Sequence, residues 1–351
     1  MSVRVVPVEA LSDHELERWA EIRRGAPELA SPFFSPTFTS IVAATRDDVH
    51  VAVLEQDGRI VGLFPFQRGR LGSGRPVGSI LSDYHGLVAP ADTSWDAREL
   101  IRACGLKTWE FHHLVAAQAP FEPFHRDRED SMQIILADDF ETYMRTVERT
   151  HGPTIRRLRE KTRKLERDYG ELRFERHSDD PEALATLLGW KADQYEKTGA
   201  SNILEQAWIP DVLRRAHAAQ TEDFSGLLSF LYADVRPVAG HLGIRSAGVC
   251  HSWFPAYDPE FSTYSPGLIL LLKLTETAPD ANIGVIDLGR GDYRYKRMLM
   301  NGTVRLAEGA VQRPSLAAGA SRSRRAVKSL IRRTTLAPKI RRVARRVAGG
   351  R

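Results

Sequence analysis

The stretch "DLGRGDYRYK" (287–296) combines residue types that could carry acid–base chemistry. Asp287 ends an apolar run, two glycines allow a sharp turn, and Tyr293, Tyr295 and Lys296 follow at the start of a predicted helix. A phenol is a weak acid that can donate a proton, and an ammonium group can stabilise developing negative charge. In the structural alternative, Asp287 caps the helix, Tyr295 packs and Lys296 is solvated.

Histidines are the candidate general bases, because imidazole takes up a proton near neutral pH. His251 lies near the start of a predicted strand, and His241 lies on the polar face of the strand before it. Asp83 and His85 in "SDYHG" come from the other half of the chain and could reach across to it. We predict His251 or the Asp83/His85 pair as the base, and His241 as a substrate contact. A hydrogen-bonded structural role is the alternative for each histidine.

The segment "FSTYSPGLILLLKL" (261–274) predicts an anion site at the start of a buried helix. Tyr264, Ser265, Pro266 and Gly267 precede the apolar residues. Ser265 is expected to cap the helix, Pro266 suits its first turn, and Gly267 leaves space for a ligand. Free amides and a partial positive charge favour anions at a helix N-terminus. An ordinary Ser-Pro cap on a core helix is the alternative.

Two further predicted helices carry candidate substrate contacts. The first, "TIRRLREKTRKLERDY", includes Arg156 and Arg159, whose guanidinium groups could hold the phosphates of a nucleotide-sugar or a lipid-linked acceptor. A solvated helix face is the alternative. The second helix runs from Pro181 to its end before Gly199, and Trp190 on it also fits a core role. Its candidate contacts are Trp190, Lys191 and Tyr195.

Two hairpins of similar sequence lie half the chain length apart. "VHVAVLEQDGRIVGLFPFQ" (49–67) and "LLSFLYADVRPVAGHLGIR" (227–245) each flank turn residues with β-rich runs. The offset of 177 residues suggests a duplicated α/β unit. Matched residues are Leu54 with Leu231, Asp57 with Asp234, Arg59 with Arg236, and Val61 with Val238. Each half then reads hairpin, strand, helix, strand. We predict domains at 1–150 and 151–315, with the joint near "HGP", and a tail at 316–351.

The order of strand, anion-accepting helix start, strand and tyrosine-bearing helix resembles the GNAT acyltransferase fold. In that fold the pantetheine of the coenzyme lies beside the central strand, and the pyrophosphate lies at the helix N-terminus. The usual Arg/Gln-x-x-Gly-x-Gly/Ala fingerprint is absent, and Tyr264-Ser265-Pro266-Gly267 stands in its place. The resemblance assigns these four residues to coenzyme binding.

A closer resemblance extends from about Phe33 to Val311. The segments that carry it are "SPFFSPTFT", "SDYHGLV", "WKADQYEKTG", "RPVAGHLGIR", "HSWFPAYDPEFSTYSPG" and "DLGRGDYRYK". They are similar to acetyltransferases grouped with cellulose-biosynthesis proteins (the CelD/BcsL type). That group is related to Fem-type peptidoglycan aminoacyltransferases, which contain two GNAT units in one chain. The implied fold is α/β, with two tandem GNAT-like units, mixed and mostly antiparallel sheets, and a basic helical tail.

The resemblance implies an acyl-CoA-dependent N-acyltransferase that uses acetyl-CoA or another acyl-CoA as co-substrate and holds no permanent cofactor. The acceptor would be a small or lipid-linked amine of polysaccharide or cell-envelope metabolism. Tyr295 would protonate the departing thiolate, and Lys296 resembles the lysine of the Fem-type Phe-Lys motif. Two alternatives stay open: a Fem-type transferase that takes aminoacyl-tRNA, and a non-catalytic scaffold of a polysaccharide assembly.

Composition and charge restrict the partners and the compartment. The net charge is +5, but residues 321–351 contain 12 Lys and Arg and no Asp or Glu. Residues 1–320 therefore carry a net charge of −7, which does not favour binding of nucleic acid. Cys104 and Cys250 are too far apart in sequence for a metal motif, so no metal site is expected. No secretory signal or membrane span is evident, which predicts a cytoplasmic protein. The basic amphipathic tail predicts attachment to the anionic inner membrane face, with a soluble basic tail as the alternative.

Overall fold

The computed structural model describes residues 1–136 and 139–312. The predicted tail at 316–351 lies outside these residues. The strands are β1 (Ser2–Val6), β2 (Val49–Gln56), β3 (Arg59–Arg68), β4 (Ser73–Arg75), β5 (Thr108–Val115), β6 (His125–Ile135), β7 (Leu172–Glu175), β8 (Ser225–Ala233), β9 (Arg236–Ser246), β10 (Val249–Tyr257), β11 (Val285–Asp287) and β12 (Gly302–Gln312). The helices are α1 (Asp13–Arg24), α2 (Pro36–Ala43), α3 (Ala97–Ala103), α4 (Phe140–Tyr169), α5 (Pro181–Thr198), α6 (Trp208–Ala218), α7 (Pro266–Thr277) and α8 (Arg294–Leu299). None of these helices is long and apolar enough to cross a membrane.

All twelve strands form one mixed sheet in the order β1-β2-β3-β4-β5-β12-β6-β11-β10-β9-β8-β7. Within the described residues, the parallel neighbours are β4 with β5 and β10 with β11, and the other neighbouring strands are antiparallel. The two halves of the chain therefore share one sheet instead of forming two separate sheets.

The β2–β3 and β8–β9 hairpins confirm the repeat seen in the sequence. Asp57 and Asp234 both have positive φ, at 53° and 54°, at the first position of their turns. Each hairpin also has a register shift at the same repeat position, directly after Leu54 in β2 and after Leu231 in β8. Two-residue turns that begin alike, with bulges at equivalent positions 177 residues apart, fit a duplicated unit better than chance similarity of turn sequences.

At the centre of the sheet, each half of the chain contributes one strand that pairs with the other half. β12, from the C-terminal end of the described chain, lies between β5 and β6, while β6 pairs with β11. The boundary predicted at residue 150 stays a prediction, but strands from both sides of it interleave here. The "HGP" segment, predicted as the joint, lies inside α4, where His151 departs from helical geometry with φ −125° and kinks the helix.

Helices cover both faces of the sheet. On one face, a single core joins the two halves through Trp19 of α1, Phe38 of α2, Leu187 of α5 and Leu213 of α6. On the other face, α3 packs over the N-terminal strands, and α4 and α7 pack over the C-terminal strands. This shared core fixes the halves relative to each other, so residues from both can meet at one site.

The β10–β11 pair opens at its C-terminal end. The parallel ladder runs from Val249 with Val285 to His251 with Asp287, where β11 ends. β10 continues to Tyr257 and has a bulge between Ser252 and Phe254. Ligands commonly bind where neighbouring strands of an α/β sheet diverge. The candidate site lies at this opening.

Candidate active site

A chain of ionisable side chains crosses between the two halves at the end of the β10–β11 ladder. His251 Nε2 lies 2.8 Å from Asp83 Oδ2, and His251 Nδ1 lies 3.4 Å from Asp287 Oδ1. His251 and Asp287 are direct neighbours in the parallel register, which explains their approach. Asp83 comes from the irregular segment before β5. The structure thus joins three of the predicted catalytic residues.

Asp287 is the most firmly held member of this group. Its Oδ1 accepts hydrogen bonds from Ser131 Oγ at 2.7 Å and from the Gly289 amide at 2.8 Å. Its Oδ2 accepts from Gln133 Nε2 at 2.9 Å and from the Tyr84 hydroxyl. A buried carboxylate with this many donors is stable as the anion, and its pKa lies well below the usual range although burial opposes this. Asp287 is a positioning anion and not a cap for α8.

The two carboxylates determine the charge of His251. Burial by itself would lower the pKa of His251, but its contacts with the charged Asp287 and Asp83 outweigh burial and raise it to about 9. Burial would raise the pKa of Asp83, yet its contact with His251 holds that pKa below the ordinary value. At neutral pH, His251 is therefore a cation between two anions. In this state it has no lone pair to accept a proton.

A cavity of about 340 Å³ lies between β10 and α7, and its lining includes Ser252, the residue after His251. Ser265 and Gly267 at the start of α7 line one part, His241, Ser252 and Tyr295 line another, and leucines of α7 form the wall. An apolar cavity with a few convergent polar groups is typical of a ligand site.

The start of α7 is built differently from the cap that the sequence suggested. Ser265 has φ 58° and its side chain does not cap the helix, so that expectation was wrong. Its Oγ instead accepts a hydrogen bond from Lys161 Nζ at 2.8 Å. Lys164 lies over the Tyr264 ring at 5.4 Å. Pro266 occupies the first turn as predicted. Two lysines of α4 therefore add positive charge where an anion was expected.

Tyr295 and Lys296 on α8 face different surroundings. Tyr295 lines the cavity, and burial raises its pKa to about 12, so its phenol stays protonated at neutral pH. Lys296 is 6% exposed and donates to the carbonyl oxygens of Gly289, at 3.2 Å, and Arg290, at 2.6 Å. Its ammonium group thus holds the glycine-containing turn after β11 instead of being solvated.

The remaining predicted residues divide into two groups. Near the cavity, Lys191 donates to the Pro255 carbonyl at 3.1 Å and lies 5.4 Å from the Tyr195 ring. Burial, with a smaller effect from Lys296, lowers the pKa of Lys191 to about 8. Trp190 packs against Phe230 with ring centroids 6.1 Å apart, which fits its alternative role in the core.

His241 lines the cavity, whereas Arg156 and Arg159 lie elsewhere. His241 is buried, and its Nε2 lies 3.0 Å from Ser252 Oγ. Arg159 pairs with Glu148 and lines a separate groove between α4 and α7, while Arg156 is exposed on α4. The structure therefore does not bring the two arginines to the cavity described above.

His85 is fully hydrogen-bonded inside the protein. Its Nε2 lies 2.9 Å from the Ser82 carbonyl oxygen, and its Nδ1 accepts from the His113 amide at 3.2 Å. These contacts fit its alternative, structural role and hold the segment that presents Asp83.

Sequence reasoning missed Tyr84, Lys161 and His113. Tyr84 adjoins Asp83 in the sequence, but its bond to Asp287 spans 203 residues and has no local signal. His113 lies 3.4 Å from Asp83, through Nε2 and Oδ1. The adjacent histidines in "TWEFHHLV" were a visible signal, since imidazoles are uncommon in a buried strand.

Residues 153–297 match a protein-family model described as "Acetyltransferase (GNAT) domain". The match covers less than half of the chain, and this segment is similar to a GNAT acetyltransferase domain. The matched segment runs from α4 into α8 and so contains the cavity, His251 and Tyr295, but not Asp83. No curated protein sequence matches the chain.

Solved structures support the tandem GNAT-like fold over nearly the whole chain. FemX has a TM-score of 0.57 at 12% identity, with 88% of this chain and 96% of FemX covered. A tandem GNAT protein from the clavulanic acid biosynthesis pathway has a TM-score of 0.52 at 12% identity, with 90% and 100% covered. The C-terminal domain of a putative lysylphosphatidylglycerol synthetase from Agrobacterium fabrum has a TM-score of 0.51 at 14% identity, with 87% and 93% covered. At these identities, the similarity concerns the fold.

Proposed function

We propose that this protein transfers an acyl group, in the first instance acetyl, from a CoA thioester to an amine. The observation that carries the proposal is the cavity between β10 and α7, which is lined by Tyr295 and by Ser252, the residue after His251 in β10. Its volume of about 340 Å³ and apolar wall suit a pantetheine arm with a short acyl group. The GNAT domain match supports the same chemistry.

The start of α7 is the proposed binding site for the pyrophosphate of CoA. The helix N-terminus carries partial positive charge, and Lys161 and Lys164 add two full charges next to it. Gly267 keeps the approach open, because its closest neighbour to an added Cβ is Tyr257, at 3.5 Å. The thioester would then extend along β10 towards Tyr295.

In the proposed reaction, the amine attacks the thioester carbonyl and the C–S bond breaks. Asp83 is the group that receives the proton from the attacking amine, because its side chain is 28% exposed, whereas His251 is buried and already protonated. The His251 cation keeps Asp83 ionised before the reaction. Tyr295 donates its phenolic proton to the departing thiolate, which leaves as CoA.

For the acceptor, we propose a small or lipid-linked amine of polysaccharide or cell-envelope metabolism. The support is the sequence resemblance to the CelD/BcsL group. Lys191 and Lys296 lie beside the site, and among the described residues neither has a carboxylate within 4.0 Å. Two such ammonium groups favour an acceptor that also carries negative charge.

Calorimetric titration of acetyl-CoA, longer acyl-CoAs and free CoA into the protein tests the proposal. We expect acetyl-CoA and CoA to bind with similar affinity and long acyl chains to bind less well, because of the small cavity. Absence of binding by every CoA compound would overturn the CoA donor. The aminoacyl-tRNA alternative would then be tested by transfer from aminoacyl-tRNA to an amine, and failure of both reactions would favour the scaffold.

A further inference from the structure

A bulge in β5 turns two consecutive histidines towards each other. In the β5–β12 ladder, Phe111 pairs with Gly309 and Leu114 pairs with Ala307, so His112 and His113 together oppose Glu308. Consecutive side chains of a regular strand point to opposite faces. In a bulge, two residues lie opposite one residue of the partner strand, and this changes the direction of their side chains. As a result, His112 Nδ1 and His113 Nδ1 are 2.5 Å apart.

The histidine pair continues the chain of ionisable groups towards the protein surface. His113 Nε2 lies 3.4 Å from Asp83 Oδ1, on the carboxylate whose other oxygen contacts His251. His112 is partly exposed, and within residues 1–136 and 139–312 its Nε2 makes no protein hydrogen bond. The other charged group at the pair is Arg290, which donates to the His112 carbonyl oxygen.

A metal site is the obvious alternative for this cluster. The ligand atoms of His85, His112 and His113 all lie within 4.8 Å of one another. However, both ring nitrogens of His85 already have partners, the Ser82 carbonyl and the His113 amide. A metal needs a free lone pair from each imidazole, and Arg290 would repel a cation. The geometry favours proton movement over metal binding.

We propose that His113 and His112 form a relay that carries the proton of the acceptor amine from Asp83 to solvent. This rests on the proposed acyl transfer, in which Asp83 receives that proton. Protonated Asp83 gives its proton to His113 Nε2, the His113 Nδ1 proton passes to His112 Nδ1, and the His112 Nε2 proton leaves to water. One proton enters at His113 and one leaves from His112, and a rotation of each imidazole ring then restores the starting tautomers.

The charge states of the groups suit such a relay. Burial, partly offset by Asp83, lowers the pKa of His113 to about 3, and burial also lowers that of His112. Both rings are therefore neutral at neutral pH, so each has one N–H and one lone pair. Bound substrate would cover the exposed side of Asp83. The relay still connects Asp83 with solvent through His113 and His112.

The contact between the two rings can be measured without substrate. In ¹⁵N-histidine NMR of the whole protein, we expect a strongly hydrogen-bonded imidazole N–H that His112→Gln and His113→Gln each remove. Persistence of that signal in either variant would overturn the relay. A chelator should change nothing, whereas a signal or activity that is lost with chelator and regained with Zn²⁺ would replace the relay with a metal site.

Kinetics test the transfer itself. The assay measures CoA release from acetyl-CoA, with amino sugars, amino acids and polyamines as the acceptor amines. In dilute buffer, His113→Gln should lower kcat about tenfold with KM for acetyl-CoA unchanged, and added imidazole should restore it. The exposed His14→Gln is the matched control. An unchanged kcat, or a loss that imidazole does not restore, overturns the relay alone. Failure of the wild-type protein to bind CoA or release it overturns the proposed function instead, and the NMR result still decides the relay.

Discussion

At the scale of single residues, the candidate site separates two roles that the sequence had combined in His251. A solvent-exposed histidine near neutral pH would accept a proton, but His251 is enclosed by Asp83 and Asp287 and has a pKa of about 9. The proton acceptor that we propose is the more exposed Asp83, whose pKa is held below its ordinary value by the adjacent His251. Replacing His251 should therefore change the pKa of Asp83.

His251→Gln should move the acidic limb of the kcat/KM profile to higher pH. His251 holds the pKa of Asp83 below its ordinary value, so a neutral glutamine lets that pKa rise. Asp83 then becomes protonated, and inactive as a base, at a higher pH than in the wild type. The measurement is the pH dependence of CoA release with one acceptor for both proteins, so that the acceptor's own ionisation cancels. An acidic limb at the same pH in both proteins would assign the base elsewhere.

Tyr295→Phe should lower kcat by about 10- to 100-fold and leave CoA affinity nearly unchanged. The change removes the proton donor but keeps the ring that lines the cavity. Steady-state kinetics and calorimetry measure the two effects separately. The same change at Tyr293, which is 60% exposed, shows whether that phenol takes over. An unchanged rate in Tyr295→Phe would leave protonation to Tyr293, water or the acceptor.

At the scale of elements, the opening between β10 and β11 makes the site possible. β11 ends at Asp287, while β10 continues and bulges after Ser252, so the gap is available for a ligand and α7 covers it. The proposed anion site depends on three elements: the start of α7, Lys161 and Lys164 of α4, and the end of β10.

Gly267→Val should weaken CoA binding at least about tenfold, because the side chain enters the space at the start of α7. A Cβ at Gly267 meets only Tyr257 Cδ1, at 3.5 Å, so the fold should tolerate the change. Gly189→Val is the matched control, since nothing lies within 4 Å of a Cβ at that helical position. Calorimetry gives the affinity and thermal unfolding verifies the fold. Full affinity in a folded Gly267→Val protein would remove the pyrophosphate from this position.

At the scale of the whole molecule, strand exchange makes the two halves interdependent. The C-terminal half needs β6 beside β11 and Asp83 beside His251, and both come from before residue 150. The N-terminal half needs β12 beside β5. The halves cannot be separated at 150 without exposing unpaired strand edges, which promote aggregation.

A fragment of residues 151–315 should therefore be insoluble or unable to bind CoA when produced alone. Production together with residues 1–150 should restore a soluble complex, because β6 and β12 regain their partners. Solubility, size-exclusion chromatography and CoA titration measure the outcome. A stable 151–315 fragment with the affinity of the full chain would show that the halves are independent domains.

The tail from Ser321 to Arg351 is predicted to attach the protein to an anionic membrane surface. Its 12 basic residues could each contribute about 1 kcal/mol near such a surface, reduced by salt. We expect the full chain to co-sediment at low salt with vesicles that contain anionic lipid and to be released at high salt. A chain that ends at Ala320 should stay in the supernatant and still bind CoA. Equal sedimentation of both would rule out the tail as the anchor.

The sequence by itself determined the local features and the chemical residue types. Turn residues and alternating apolar positions revealed the two hairpins, and proline and glycine marked the ends of α5 and the start of α7. These signals act over a few residues, so they can be read without knowing the fold. The candidates Asp83, His251, Asp287 and Tyr295 also followed from residue type and element order.

Tertiary structure alone decided the charge, the partners and the connectivity. The pKa of His251 depends on two carboxylates that lie 168 and 36 residues away in the chain, and desolvation strengthens their effect. The strand exchange depends on which strand edges are available for pairing when β5, β6 and β11 come together. Such pairing between distant segments leaves no signal in the local sequence. The paired histidines of β5 converge only because β12 imposes a bulge on that strand.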